Sequence, residues 1–184
     1  MSCVRAIAEL VERHIALDGK MLRRSHDHTN GKKALHMVSA WSSANRIVLG
    51  QEKVRDKSNE IIAIPELLEL LDIAKSVITI DAMGCQTEIA RKIIDSDANY
   101  VLALKKNQGR LFEIVDVLFS NPDEIEATNC DYHQDVTKGH GRIEIRECWA
   151  TNDEDYLAYI KEEIGHWPGL QSLIMVKSER RIKG

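Results

Sequence analysis

Val77-Ile78-Thr79-Ile80-Asp81 is an apolar run that stops at a carboxylate, and Ile15-Ala16-Leu17-Asp18 and Val101-Leu102-Ala103-Leu104-Lys105 repeat the pattern. Continuous rather than alternating apolar runs of this length, rich in β-branched residues, suit central strands covered on both faces. Each run delivers a charged side chain to a strand end, and open α/β sheets build their sites at such ends. Between the first two runs, Ala34 to Trp41 and Arg46 to Lys53 read as strands joined by the turn Ser42-Ser43-Ala44-Asn45.

Helical spacing fills the intervals. Ile64, Leu67, Leu68 and Leu71 recur at i, i+3, i+4 and i+7, with Pro65 expected in the first turn, where its missing N–H costs nothing. Thr87 is expected to cap a helix whose inner face is Ile89, Ala90, Ile93 and Ile94. Leu111, Phe112, Val115, Leu118 and Phe119 form a third stripe, ended by Asn121-Pro122. The order through residue 120 is strand, hairpin pair, helix, strand, helix, strand, helix, which is an α/β fold. Beyond it come an acidic loop (Asp123, Glu124, Glu126), a turn Lys138-Gly139-His140-Gly141 into a strand from Arg142 to Ala150, a helix from Asp153 to about Gly165, and a strand Leu173-Ile174-Met175-Val176.

The chain has 184 residues, 43% hydrophobic and 29% charged, with a formal net charge of −4. That composition supports one good core and excludes disorder as the default. No run approaches the roughly 18 to 20 apolar residues of a membrane span, and the N-terminus lacks an apolar secretory region, so a cytoplasmic protein with no membrane partner is expected. Cys3, Cys85, Cys130 and Cys148 form no C-x-x-C pair, which points away from a disulfide framework or a zinc site. The charge is uneven. Residues 1–110 are net +3 and 111–184 net −7, while Lys20 to Lys57 holds nine basic residues against three acidic ones. A polyanion partner fits that segment, although solvated surface cations account for charge alone equally well.

Asp18 and Asp81 carry the chemistry. If their strands are neighbours the carboxylates converge into a hard oxygen site for Mg²⁺ or Mn²⁺, of the kind that serves phosphodiester chemistry. Taken singly, each Asp reads equally as a turn or helix cap. Lys105-Lys106-Asn107-Gln108-Gly109 forms a phosphate-contacting corner of two ammonium groups, two amides and a permissive glycine, with solvated turn residues as its rival. His26 and His28 read as solvent-exposed histidines, Cys85 as a packed thiol, and the glycines form no phosphate loop.

Ile15 to Arg23, Lys57 to Leu68, Thr79 to Gln86, Leu104 to Gly109 and His140 to Arg146 resemble, in order and spacing, the H-repeat-associated transposases of bacterial insertion sequences. The resemblance implies a DDE-type transposase with a ribonuclease-H-like core, a mixed sheet of hairpin and parallel strands flanked by helices. It makes Asp18 the first catalytic acid and Asp81 the second, both holding divalent metal for cleavage at the transposon end and strand transfer into target DNA. DNA is the implied partner, with Lys20, Arg23, Arg24, Lys105, Lys106 and Asn107 as its contacts, and the reading is compatible with a homo-oligomer. Residues 1–14 would be the remnant of an N-terminal domain, 15–120 the catalytic core, and 121–184 a partial α/β insertion before the last catalytic helix.

The sequence departs from that family at the third acid, a Glu within H-W-x-x-E-N. Here His166-Trp167 is followed by Pro168-Gly169-Leu170-Gln171, which argues against a helix. The chain therefore reads as a fragment or a shortened reading frame with impaired strand transfer, or as a catalytically dead relic that binds DNA or a related protein. A third reading completes the site with Glu144 or Glu147.

Overall fold

The computed structural model describes residues 13–21, 36–54, 60–139 and 142–182. Its chain forms two units, Met1–Gln108 with Trp167–Gly169, and Gly109–His166 with Leu170–Gly184.

The first unit is an α/β unit built on a mixed five-stranded sheet in the order β3-β2-β1-β4-β5. The strands are β1 (His14–Met21), β2 (His36–Ser42), β3 (Ile47–Val54), β4 (Val77–Ile80) and β5 (Asn99–Leu102). β1, β2 and β3 pair antiparallel, whereas β4 runs parallel to both β1 and β5. Alternation decides the faces. Ile15, Leu17, Val38, Ala40, Ile78 and Ile80 are buried against α1 (Glu60–Glu69) and α2 (Thr87–Asp95), which contribute Ala63, Ile64, Leu67, Leu68, Ile89 and Ile93. The opposite face leaves Trp41, Val48 and Val101 exposed.

Several local expectations shift. β1 does not end at Leu17 but continues to Met21, because its pairing with β2 carries on past Asp18. Pro65 is the sixth residue of α1 rather than a first-turn residue. An interior proline costs a helix about 3 kcal/mol, which burial of Ala63, Ile64, Leu67 and Leu68 outweighs. Gln86, not Thr87, precedes α2, and it caps without a side-chain bond. Its amide is taken up by the Met83 carbonyl and by Gln108. The expected hairpin turn forms, with the Ser42 hydroxyl accepting from the Asn45 backbone. Pro168-Gly169, read as arguing against a helix, forms a turn. Gly169 has φ +66°, and a Cβ there would sit 2.3 Å from Ile94 Cδ1.

The second unit holds α3 (Gly109–Ser120), α4 (Pro122–Ala127), α5 (Glu154–Ile164) and an antiparallel sheet β6 (Asp131–Gly139), β7 (Arg142–Thr151) and β8 (Leu173–Ile182). Leu111, Ile114, Leu118, Ile160 and Leu173 are its buried apolar residues. The stretch read as an acidic loop is helix α4. Asn121 caps it, Pro122 opens it, and Asp123 and Glu124 lie in its first turn, where the helix dipole favours them. β6, exposed along its whole length, is a strand that no apolar alternation announces; pairing with β7 makes it.

Leu67 is fully buried at the centre of the first unit's core. Leu67→Ala is expected to lower unfolding free energy by roughly 2–5 kcal/mol. A urea-denaturation difference under about 1 kcal/mol would contradict the packing described.

Candidate functional site

The parallel register of β1 on β4 pairs Ile15 with Ile78, Ala16 with Thr79 and Leu17 with Ile80. One residue beyond the last pair stand Asp18, still on β1, and Asp81, just past the end of β4; paired strands lie about 5 Å apart. Both are exposed, as burial of the alternate residues requires. On the same face His14 Nε2 lies 2.8 Å from Thr79 Oγ1, and His14 Nδ1 2.7 Å from Ser43 Oγ. Asp18 sits opposite Ser39, whose hydroxyl accepts from the Gln51 amide at 3.0 Å.

Asp81 is held by a turn that the local sequence dictates. β4 stops at Ile80, and Ala82–Gly84 forms a single 3-10 turn. The Asp81 carboxylate accepts from the Met83 N–H at 3.1 Å, and the Asp81 carbonyl from the Gly84 N–H at 3.1 Å. The turn folds back so closely that a Cβ on Gly84 would lie 2.2 Å from Ile80 Cγ2, so only glycine fits.

A second 3-10 turn, Lys106–Gln108, locks the first. Asn107 Nδ2 donates to the Ala82 carbonyl at 2.7 Å, and Gln108 Nε2 donates to the Cys85 carbonyl at 2.6 Å and to Gln86 Oε1 at 3.2 Å. The corner Lys105-Lys106-Asn107 is thereby brought beside Asp81, with both lysines exposed. The sequence places Gln108 in the phosphate-contacting corner as one of its two amides; the structure uses it instead to hold the turn that follows Asp81. Its partners are 22 and 23 residues away, so no local signal marks that role. Lys20 is exposed on β1, two residues beyond Asp18 and on its face. Arg23, Arg24, His26 and His28 lie outside the described residues.

The register thus brings two exposed carboxylates to the ends of adjacent paired segments. Among the described residues no three His, Cys, Asp or Glu side chains gather to hold a metal, and no cation pairs with Asp18 or Asp81. Glu144 and Glu147, read as local substitutes for a third acid, are committed elsewhere. Glu144 accepts from Arg142, Arg146 and Arg180, and Glu147 accepts from the Tyr132 hydroxyl at 2.8 Å. Cys85 is 2% exposed, and burial pushes its thiol from 9.0 up to about 11, which makes it a packing group rather than a nucleophile.

Residues 9–162 match the family model described as the transposase DDE domain. The chain belongs to that family. This DDE domain is 45% identical over 170 residues to "Putative transposase YncI" of Escherichia coli O157:H7, covering 92% of this chain and 42% of that one. It is 42% identical over 168 residues to "H repeat-associated putative transposase YhhI" of Escherichia coli strain K12, covering 91% and 43%. The chain spans about half the length of the curated relatives it matches. Among solved structures, a piggyBac transposase synaptic complex with hairpin DNA aligns at TM-score 0.39 and 8% identity over 73% of this chain and 30% of that one, a likeness too low to carry any inference. No helix among the described residues is long and apolar enough to cross a membrane.

Burial also pushes the Tyr100 phenol, whose hydroxyl donates to the Pro168 carbonyl at 2.6 Å, from 10.0 up to about 12. Cys85 and Tyr100 both keep their protons more tightly folded than unfolded. Their contribution is therefore complete below about pH 9 and is lost as pH rises towards 11 and 12. Urea-unfolding free energies between pH 8 and 11 are expected to fall, and to fall less steeply in Cys85→Ala; a flat profile in the unaltered protein would contradict this.

Proposed function

We propose that the chain is a DDE transposase catalytic core with a ribonuclease-H-like sheet, acting in DNA transposition, with Asp18 and Asp81 as its first two catalytic acids. The observation that carries this is the register that makes them next neighbours at the β1–β4 junction. The sheet order β3-β2-β1-β4-β5, with three antiparallel strands followed by two parallel ones, supports the same core. Two adjacent exposed carboxylates without a paired cation among the described residues suit a hard divalent ion, Mg²⁺ or Mn²⁺. When bound, such an ion supplies charge stabilisation at a phosphodiester. The chain's own residues do the rest. The Gly84 turn aims Asp81, Asn107 and Gln108 hold that turn, and Lys20, Lys105 and Lys106 attract the phosphate backbone of transposon-end and target DNA. Arg23 and Arg24 belong to the same proposed contact set.

With two candidate acids at the site among the described residues, weak ion affinity and loose positioning are expected, and little strand transfer is expected of the chain tested alone. That same observation favours a second reading, a DNA-binding relic without catalysis. A nicking assay on transposon-end DNA with Mn²⁺ separates them: cleavage abolished by Asp18→Asn and by Asp81→Asn supports the enzyme, and none in the unaltered chain supports the relic. Mn²⁺ affinity is expected to drop roughly tenfold or more in either Asp variant. Cleavage that survives Asp81→Asn would end the assignment.

Gln108→Ala is expected to weaken Mn²⁺ binding by roughly tenfold while leaving Lys105 and Lys106 in place. Unchanged Mn²⁺ affinity would show that the turn holds Asp81 unaided.

A further inference from the structure

We propose that the outer half of the β6–β7–β8 sheet is a second phosphate-backbone surface for double-stranded DNA, organised around Glu144. The register sets Glu144 between Thr137 and Arg180 across the three strands, with Arg142 and Arg146 two residues away on the same face of β7. Its carboxylate contacts all three guanidiniums: Arg142 Nε at 3.2 Å, Arg180 at 3.1 Å and Arg146 at 3.0 Å. The Glu144 side chain is 16% exposed, whereas the arginines are 49, 55 and 60% exposed.

One carboxylate offsets only one of three positive charges. Each guanidinium carries five N–H donors, so each keeps donors for a further anion after contacting Glu144. Their fixed forks match phosphate oxygens better than any other side chain does. A simple surface ion pair needs a single arginine and stabilises little. Three on one acid form a preset cationic patch instead. Asp135, opposite Arg146 on β6, is the other acid of this half-face and leaves it net positive.

Charge across the unit is segregated in the same sense. Residues 135–147 and 177–182 hold six Lys and Arg against four Asp and Glu, net +2, whereas 109–134, 148–166 and 170–176 hold two against eleven, net −9. On the reverse face Arg181 is already paired with Glu179 at 2.6 Å. A polyanion is thus drawn to this half of the sheet and repelled by the rest of the unit; each face of the half-sheet is net +1, and what sets the Glu144 face apart is that its three cations are guanidiniums gathered on one acid. Choosing DNA among polyanions rests on the transposase reading above.

The test is anisotropy of a labelled DNA duplex of arbitrary sequence across salt concentrations. Arg146→Gln/Arg180→Gln is expected to weaken binding roughly tenfold or more and to reduce the slope of log affinity against log salt by about 2. Lys177→Gln/Arg181→Gln, which removes the same charge from the reverse face, is expected to leave the slope nearly unchanged. Arg146→Lys/Arg180→Lys keeps the charge and is expected to keep the slope while lowering affinity for want of the forks; a slope reduced there as much as in the glutamine pair would show that it does not count these two charges and would overturn the proposal. Equal losses from the two glutamine pairs would mean diffuse attraction and overturn it too. Unchanged binding in Arg146→Gln/Arg180→Gln would remove this surface while leaving DNA as the partner. No binding by the unaltered protein at any salt would remove both.

Discussion

The parallel pairing of β1 with β4 is the constraint on which the first unit depends. Ile15 and Leu17 on one strand and Ile78 and Ile80 on the other are buried against α1 and α2. A one-residue slip would move that apolar set to the opposite face. The burial that stabilises the unit therefore also sets the register that makes Asp18 and Asp81 neighbours. Stability and site geometry share one cause, so the carboxylates need no direct bond to each other to be held in place.

What surrounds the pair is layered by increasing distance along the chain. Gly84 lets the turn after Asp81 fold tightly on Ile80, and Asn107 and Gln108 reach back over more than twenty residues to hold the carbonyls of that turn. The amide pair thus works on backbone oxygens that a buried turn must satisfy in any case. Its neighbours Lys105 and Lys106, at the same corner, remain exposed.

Much of this was legible in the chain. The three apolar runs became β1, β4 and β5, although the sheet buries one face rather than the two expected of them and β5 lies at its edge; the helix stripes at Ile89 and Leu111 were legible from their 3.6-residue spacing. The misreadings have two origins. Pro65 in mid-helix and the wholly exposed β6 are cases where packing or pairing overrules local preference, whereas α4 follows local preference, since Asn121, Pro122 and the acids of its first turn are helix-start signals read as a loop. The carboxylate pair was readable only conditionally, since spacing of 63 residues says nothing of adjacency. Gln108 was legible as an amide of the lysine corner but not as a lock on a turn 22 and 23 residues away, and the negative total of the C-terminal half hid a net positive half-sheet.

The sequence by itself determined the α/β class and the family, and marked Asp18 and Asp81 as carboxylates that end apolar runs, because apolar periodicity and ordered blocks of residues are properties of the chain alone. Only the tertiary structure decided that Asp18 and Asp81 directly follow paired residues of adjacent strands, that two 3-10 turns are locked by amides, and that Glu144 is tied up by three arginines. These are facts about residues far apart in the chain, and only strand register and folded turns bring such residues into contact.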